Sequence, residues 1–178
     1  MLEKNLVLVG FMGTGKSTVG KALAKKLGRP FVDVDQCIEE KQKRRISEIF
    51  EKEGEPAFRR LEKETILEIA AGTELVITTG GGAVIDPENV AALKANGILV
   101  ALEASPQTIY QRVKDTRHRP LLRSADLPGE IEKLLEARRP FYDKADFKFV
   151  TDGKSATQVA DEILAALKGE EEFEFGKD

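Results

Sequence analysis

Cysteine and histidine are almost missing from this chain. Cys37 and His118 are the only representatives of their kinds in 178 residues. A lone cysteine excludes an internal disulfide framework, and one histidine beside one cysteine excludes a zinc site of ordinary ligand spacing. Net charge is also scarce: 28 basic side chains face 31 acidic ones, a formal balance of −3. No global field of either sign recruits nucleic acid or an anionic membrane, so an anionic ligand must be held by local cations. Nowhere do about eighteen apolar residues run together, as a membrane-spanning helix requires. The N-terminus enters a strand pattern at once, without the basic, apolar and cleavage regions of a secretory leader. The expectation is one cytoplasmic domain, large enough to bury a core without metal or disulfide staples.

What is present is an alternation. Short apolar runs recur at Leu6–Val9, Phe31–Val34, Leu75–Thr78, Ile98–Leu102 and Phe147–Val150, with helical patterns between them. This predicts an α/β fold with a parallel sheet covered on both faces. The first helix is expected to begin in a glycine loop and to stop at Gly28-Arg29-Pro30. Pro87 and Pro106 mark two further helix starts, with Asp86 and Ser105 as caps. Residues 36–71 carry no strand signal, only charged helical sequence broken around Gly54 and Pro56, and read as an inserted set of two or three helices of the sort that holds a substrate. Residues 115–126 are basic and aperiodic and read as a mobile loop. Residues 169–178 are acidic and read as a frayed, disordered tail.

The first strand runs straight into Gly10-x-x-x-x-Gly15-Lys16-Ser17, the Walker A spacing, with a helix pattern after it. In that context the glycines let backbone N–H groups turn around phosphate oxygens, and the helix N-terminus adds a favourable dipole. Gly13, Thr14, Gly15, Lys16, Ser17 and Thr18 are the expected nucleotide contacts; Lys16 reaches the β and γ phosphates, and Ser17 offers its hydroxyl to Mg²⁺. A plain glycine turn would use the same glycines but has no need of the lysine and serine. Neither the base-reading Asn-Lys-x-Asp element of a GTPase nor an apolar strand ending in a Walker B aspartate is found. Phe31-Val-Asp33-Val-Asp35 supplies carboxylates instead. Two apart on an extended strand, both point one way at the ligand-binding end of the sheet. One can hold Mg²⁺ through water and the other can orient or deprotonate a substrate hydroxyl; alternatively, Asp35 caps the next helix.

Gly80, Gly81 and Gly82 end the third strand and permit either a close approach to a ligand or a simple turn. Arg59, in Phe58-Arg59-Arg60-Leu61-Glu62, and Arg138-Arg139 before Pro140 are the cations that suit a small hydroxylated acid, since guanidinium groups grip carboxylates bidentately. Arg117, Arg119 and Arg123 on the basic loop suit a lid that closes over a moving phosphoryl group and keeps water out. His118 has no carboxylate partner in the sequence and reads as a bystander. Cys37 reads as a small packed residue.

Taken together, Gly-Phe-Met-Gly-Thr-Gly-Lys-Ser-Thr at 10–18, Asp-Val-Asp at 33–35, Phe-Arg-Arg-Leu-Glu at 58–62, Gly-Gly-Gly at 80–82, Arg-Pro-Leu-Leu at 119–122 and Arg-Arg-Pro-Phe-Tyr at 138–142 resemble the shikimate kinase family, within the nucleoside monophosphate kinase group of P-loop folds. The likeness spans about residues 6–167. It implies a three-layer P-loop kinase fold with a five-stranded parallel sheet in the order 2-3-1-4-5, one domain over 1–168, a substrate-binding arm at about 36–71 and a lid at about 115–126. It implies Mg²⁺-ATP-dependent phosphorylation of the 3-hydroxyl of shikimate, a step toward aromatic amino acids, by a monomer with no nucleic-acid or membrane partner. The catalytic residues implied are Lys16, Asp35 and Arg119. Asp33 joins Ser17 at the metal through water, and Asp35, Arg59, Gly80, Gly81, Gly82 and Arg138 meet the acid. Arg112 and Arg119 join the ATP site, with Lys154 the candidate after the fifth strand. Gluconate kinase shares the loop and the need for carboxylate-binding arginines. Nucleoside monophosphate kinases fit less well, since Asp35 would repel a phosphate acceptor. A regulatory nucleotide-binding module would have no use for Lys16, Asp33, Asp35 and Arg119 together.

Overall fold

The computed structural model of the chain describes residues 3–114 and 126–175. Its strands are β1 (Asn5–Gly10), β2 (Phe31–Asp33), β3 (Val76–Thr78), β4 (Gly97–Glu103) and β5 (Phe147–Val150). They form a single sheet in the order β2-β3-β1-β4-β5, every neighbouring pair parallel. The expected strand order is therefore the observed one.

Side-chain alternation on β1 builds the two halves of the core, because successive residues of a strand point to opposite faces. Leu6 and Leu8 pack with Val19, Leu23 and Ala24 of α1 (Lys16–Leu27) and with Val159, Ala160 and Ile163 of α7 (Ala156–Phe175). Val7 and Val9 face the opposite layer. That layer is made of α2 (Val34–Gln42), α3 (Ile46–Ala70), α4 (Pro87–Ala95), α5 (Pro106–Val113) and α6 (Leu127–Tyr142). Because β1 is covered on both sides, Leu6 to Val9 read in sequence as a continuous hydrophobic run rather than an alternating one.

Local signals place most helix ends. Gly28 closes α1 in a left-handed conformation, with its N–H on the Ala24 carbonyl. Asp86 and Ser105 cap α4 and α5, accepting from Glu88 N and Thr108 N, with a proline following each cap. α3 is two helical arms joined at Gly54, whose backbone (φ 81°, ψ 172°) is not helical, with Pro56 just beyond. The broken helical insertion expected over 36–71 is thus present as α2 and the two arms of α3.

Two expectations are corrected. The second strand ends at Asp33, one residue early, because the Asp33 carboxylate accepts from Gln36 N at 3.1 Å and starts α2 at Val34. Asp33 is therefore the cap, and Asp35 stands in the first turn of a helix rather than on a strand. The acidic end is not frayed from residue 169, since α7 runs to Phe175; glutamate is a good helix former, and the helix is already anchored on α1. Of the lid expected over about 115–126, residues 115–125 with Arg117, His118, Arg119 and Arg123 lie outside the described residues, as do 176–178, while Asp126 caps α6.

Candidate active site

The carboxyl ends of β1, β2 and β3 meet at one edge of the sheet, where β1 runs into the phosphate loop. Gly13 and Gly15 take positive φ (78° and 94°), a region that costs glycine nothing and other residues strain. The loop so formed opens directly into α1, with the helix N-terminus facing its concavity. Lys16 lies back over it, its Nζ donating to the carbonyls of Gly10 (2.8 Å) and Phe11 (2.9 Å). Ser17 and Thr18 stand exposed in the first turn of α1. Thr14 is turned inward: its hydroxyl and its N–H both donate to the Phe11 carbonyl.

Next to the loop, Ser17 Oγ donates to Asp33 Oδ2 at 3.1 Å, and Thr78 Oγ1 donates to the same oxygen at 2.8 Å. Thr78 is the register partner of Asp33 on the neighbouring strand. A serine hydroxyl beside a carboxylate is an all-oxygen donor set that suits Mg²⁺ with its retained waters. Among the described residues no group of three or more acidic, histidine or cysteine side chains could cage a metal alone. Such a pair would therefore hold an ion shared with phosphate oxygens.

A cleft of about 740 Å³ adjoins this edge, lined on one side by Asp33, Asp35 and Gly80–Gly82 and on the other by α3. Each of the three glycines makes room for a charged side chain. A Cβ on Gly80 would come within 3.2 Å of Asp35 Oδ1 and 3.3 Å of Glu62 Oε1. One on Gly81 would come within 3.3 Å of Arg138 Nη1, and one on Gly82 would overlap the Arg59 guanidinium. The glycines make a turn at 81–82 and at the same time let these side chains pack against the backbone. Arg59 is aimed by Glu62 (2.7 Å) and Glu55 (3.0 Å) on its own helix. Arg138 is 7% exposed, with its guanidinium 5.7 Å from the Phe11 ring centre, whereas Arg139 faces solvent. Of the pair, Arg138 is the one that lines the cleft.

Asp35 carries the electrostatic signature of the site. Burial, then the like charges of Asp33 and Glu62, raise its pKa to about 6 against the pull of Lys16 and Arg59. Its Oδ1 and Glu62 Oε1 are buried without a hydrogen-bond partner, both beside Gly80. Buried acceptors left unsatisfied are costly and mark a place where a donor is due. So although Asp33 and Asp35 do not lie on one strand face, the turn into α2 still brings both to the cleft.

Three participants were not singled out by sequence reasoning. Glu62 sits three residues after Arg59 and Tyr142 four after Arg138, spacings that put each pair on one helix face and were available as signals. Tyr142 donates to the Gly81 carbonyl at 2.6 Å, and burial pushes its hydroxyl up to about 12. Thr78 needs the strand register, which no local pattern supplies. At the opposite end of the loop, Arg112 Nη1 donates to the Gly13 carbonyl (3.0 Å) and to Thr151 Oγ1 (3.1 Å). Lys154 follows β5 as expected, but its ammonium is committed to Glu162 of α7 at 2.7 Å. Arg119 lies outside the described residues.

The family model described as shikimate kinase matches residues 12–168. A shikimate kinase of Thermodesulfovibrio yellowstonii is 48% identical over 161 residues, 90% of this chain and 93% of that protein. The solved shikimate kinase of Acinetobacter baumannii in complex with shikimate superposes with a TM-score of 0.91 at 39% identity, covering 94% of each chain. A gluconokinase of Sinorhizobium meliloti superposes with a TM-score of 0.64 at 18% identity over 99% of this chain and 98% of that one, a likeness of fold alone.

Proposed function

The chain belongs to the shikimate kinase family, phosphotransferases that move a phosphoryl group from ATP to a hydroxyl of shikimate, and on that premise we propose how its residues divide the work. The observation that carries the assignment is the cleft itself: two arginines from different helices, Arg59 and Arg138, share it with a proton-hungry carboxylate, Asp35, beside the phosphate loop.

The acid enters with its carboxylate on Arg59 and Arg138, where charge-assisted hydrogen bonds fix its orientation. Glu62 and Tyr142 hold the wall, one aiming Arg59 and the other gripping Gly81. The ring hydroxyls then face Asp35, which satisfies its orphaned Oδ1 by accepting from one of them, the 3-hydroxyl. ATP lays its phosphates in the loop; Lys16 exchanges the Gly10 and Phe11 carbonyls for β and γ oxygens. Ser17, and Asp33 through water, would hold Mg²⁺, which would supply charge neutralisation for the phosphates. As the hydroxyl oxygen bonds to the γ phosphorus and the bond to ADP breaks, Asp35 orients the hydroxyl and takes its proton. Arg119, on sequence grounds, covers the transferring group from the lid at 115–126. Arg112 lies on the base side of the loop, and Lys154, three residues beyond its partner Thr151, joins the same side.

The arm at 36–71 and the loop at 115–126 belong, in this reading, to a single domain over 1–168, and the end 169–178 takes no part. Action as a monomer in the cytoplasm is part of this reading, and the free thiol of Cys37 suits a reducing compartment. Among the described residues no helix is long and apolar enough to cross a membrane.

The test is ADP release with MgATP and shikimate, run beside gluconate, AMP and no acceptor. Turnover with shikimate only is expected. Comparable turnover with gluconate, or release that needs no acceptor, would overturn the assignment.

A further inference from the structure

Thr151, the residue after β5, is 2% exposed and polar, and it lies outside the cleft. Its hydroxyl is placed to donate to the carbonyl of Thr14 in the phosphate loop (3.0 Å) and to that of Glu103 at the end of β4 (3.2 Å). The same oxygen accepts from Arg112 Nη1 at 3.1 Å, and Arg112 also donates to the Gly13 carbonyl. One side chain therefore joins four pieces of the molecule: the phosphate loop, β4, α5 and the turn leading to α7.

That turn is itself held in place. The Thr151 N–H donates to the Glu103 carbonyl at 2.8 Å. The neighbouring Asp152 carboxylate accepts from Ser105 N, Ser105 Oγ (2.6 Å) and Thr108 Oγ1 (2.5 Å) at the start of α5. The loop carbonyls are thus gripped from a platform fixed on two sides. All peptide bonds described are trans. In a trans peptide the C=O and N–H point in opposite directions, so holding the Thr14 carbonyl outward turns the N–H of Gly15 to the reverse side, where the loop encloses its ligand.

We propose that Thr151 is a positioning residue for the nucleotide: through the Thr14 carbonyl and Arg112 it sets the orientation of the phosphate-loop peptide at Gly15 and couples that loop to the turn after β5. This rests on the reading of residues 10–18 as the ATP site. A hydroxyl is required, since it must donate and accept at once. Replacing it with an apolar group of the same shape leaves a buried carbonyl without its donor, a loss that converts to about tenfold in affinity.

The test compares Thr151→Val, which keeps the shape and removes the hydroxyl, with Thr151→Ser, which keeps the hydroxyl and loses the methyl. ADP affinity is measured by titration calorimetry without any acid present, and KM is measured for ATP and for shikimate. Thr151→Val is expected to weaken ADP binding and raise the KM for ATP about tenfold, with the KM for shikimate within about twofold, and Thr151→Ser to stay within about threefold of the parent. ADP binding by Thr151→Val equal to the parent's, an equal rise in both KM values, or a serine variant as impaired as the valine one would each overturn the proposal. If the valine variant does not fold, Thr151→Cys takes its place. Failure of both to fold would make the role purely structural and likewise overturn it. A parent chain that does not bind ADP at all would instead count against the nucleotide site itself.

Discussion

Asp35 has more proton affinity than a surface aspartate because folding buries it beside Asp33 and Glu62. Two consequences have opposite signs. Its folded pKa of about 6 lies above the ordinary aspartate value of 3.8, so its contribution to stability is complete below about 3.8 and is lost as pH rises through 6. Asp35→Asn, which cannot ionise, should therefore be more stable than the parent at pH 8, by roughly 1–3 kcal/mol, with the gap closing below pH ~4. Thermal melting at the two pH values checks this; a variant less stable at pH 8 would contradict it. Activity runs the other way, since only the carboxylate accepts a proton. In the parent, kcat/KM for the acid should fall below a limb near pH 6, and Asp35→Asn should lose about 10²–10⁴ of it at pH 8. The arginines differ at the same scale. Arg138→Ala should raise the KM for the acid at least about tenfold while leaving that for ATP within about twofold, as expected for a lost charged hydrogen bond at one ligand only. Exposed Arg139→Ala should change neither, and steady-state kinetics on both variants would expose a reversed assignment. Residue identities were legible here because chemistry limits which side chains can bind a carboxylate or a phosphate. Choosing Arg138 over Arg139 was not, because adjacent helical residues differ only in the face they present.

Elements were most legible where a short-range rule fixes a boundary. Asp86-Pro87, Ser105-Pro106 and Gly28 each end or begin a helix as their chemistry dictates, within a residue or two. The reading of Asp33-Val34-Asp35 as strand failed because a strand pattern and a cap compete for the same residues, and the hydrogen bond to Gln36 N decides for the helix. The composition of the glutamates at 170–172 predicts a frayed end, but a helix anchored by Val159 and Ile163 propagates through them. The kink in α3 is the element with functional weight. Its first arm brings Ile46 and Phe50 to the cleft and its second Phe58, Arg59 and Glu62, so Gly54 sets the angle between the two walls. At φ 81° and ψ 172° a side chain is strained even though the space is open, the nearest atom to a Cβ being Pro56 Cδ at 3.6 Å. Gly54→Ala should cost about 1–3 kcal/mol, lower the melting temperature by roughly 3–10 °C and raise the KM for the acid more than that for ATP. An unchanged melting temperature would mean that the kink is not needed.

At the scale of the whole molecule, three layers with both faces of the sheet covered follow from five apolar runs alternating with helical patterns, because a parallel strand must be buried on both sides. Strand order does not follow from periodicity, which is blind to neighbours; it came from the likeness of six ordered motifs and agrees with β2-β3-β1-β4-β5. That order puts β1 between β3 and β4 and so gathers the phosphate loop, Asp33 and Gly80–Gly82 at one edge, although they are far apart along the chain. Hydrogen bonds that span such distances, Tyr142 to Gly81 and Thr151 to Thr14, leave no local pattern and became visible only in the fold. The central claim is that this edge delivers the γ phosphoryl of ATP to one hydroxyl of shikimate. Phosphorus NMR of the reaction with MgATP and shikimate, with proton–phosphorus correlation on the product, tests it most directly. The account predicts ADP and a single phosphate ester coupled to the proton at carbon 3; inorganic phosphate with unchanged shikimate, or an ester at another hydroxyl, would contradict it.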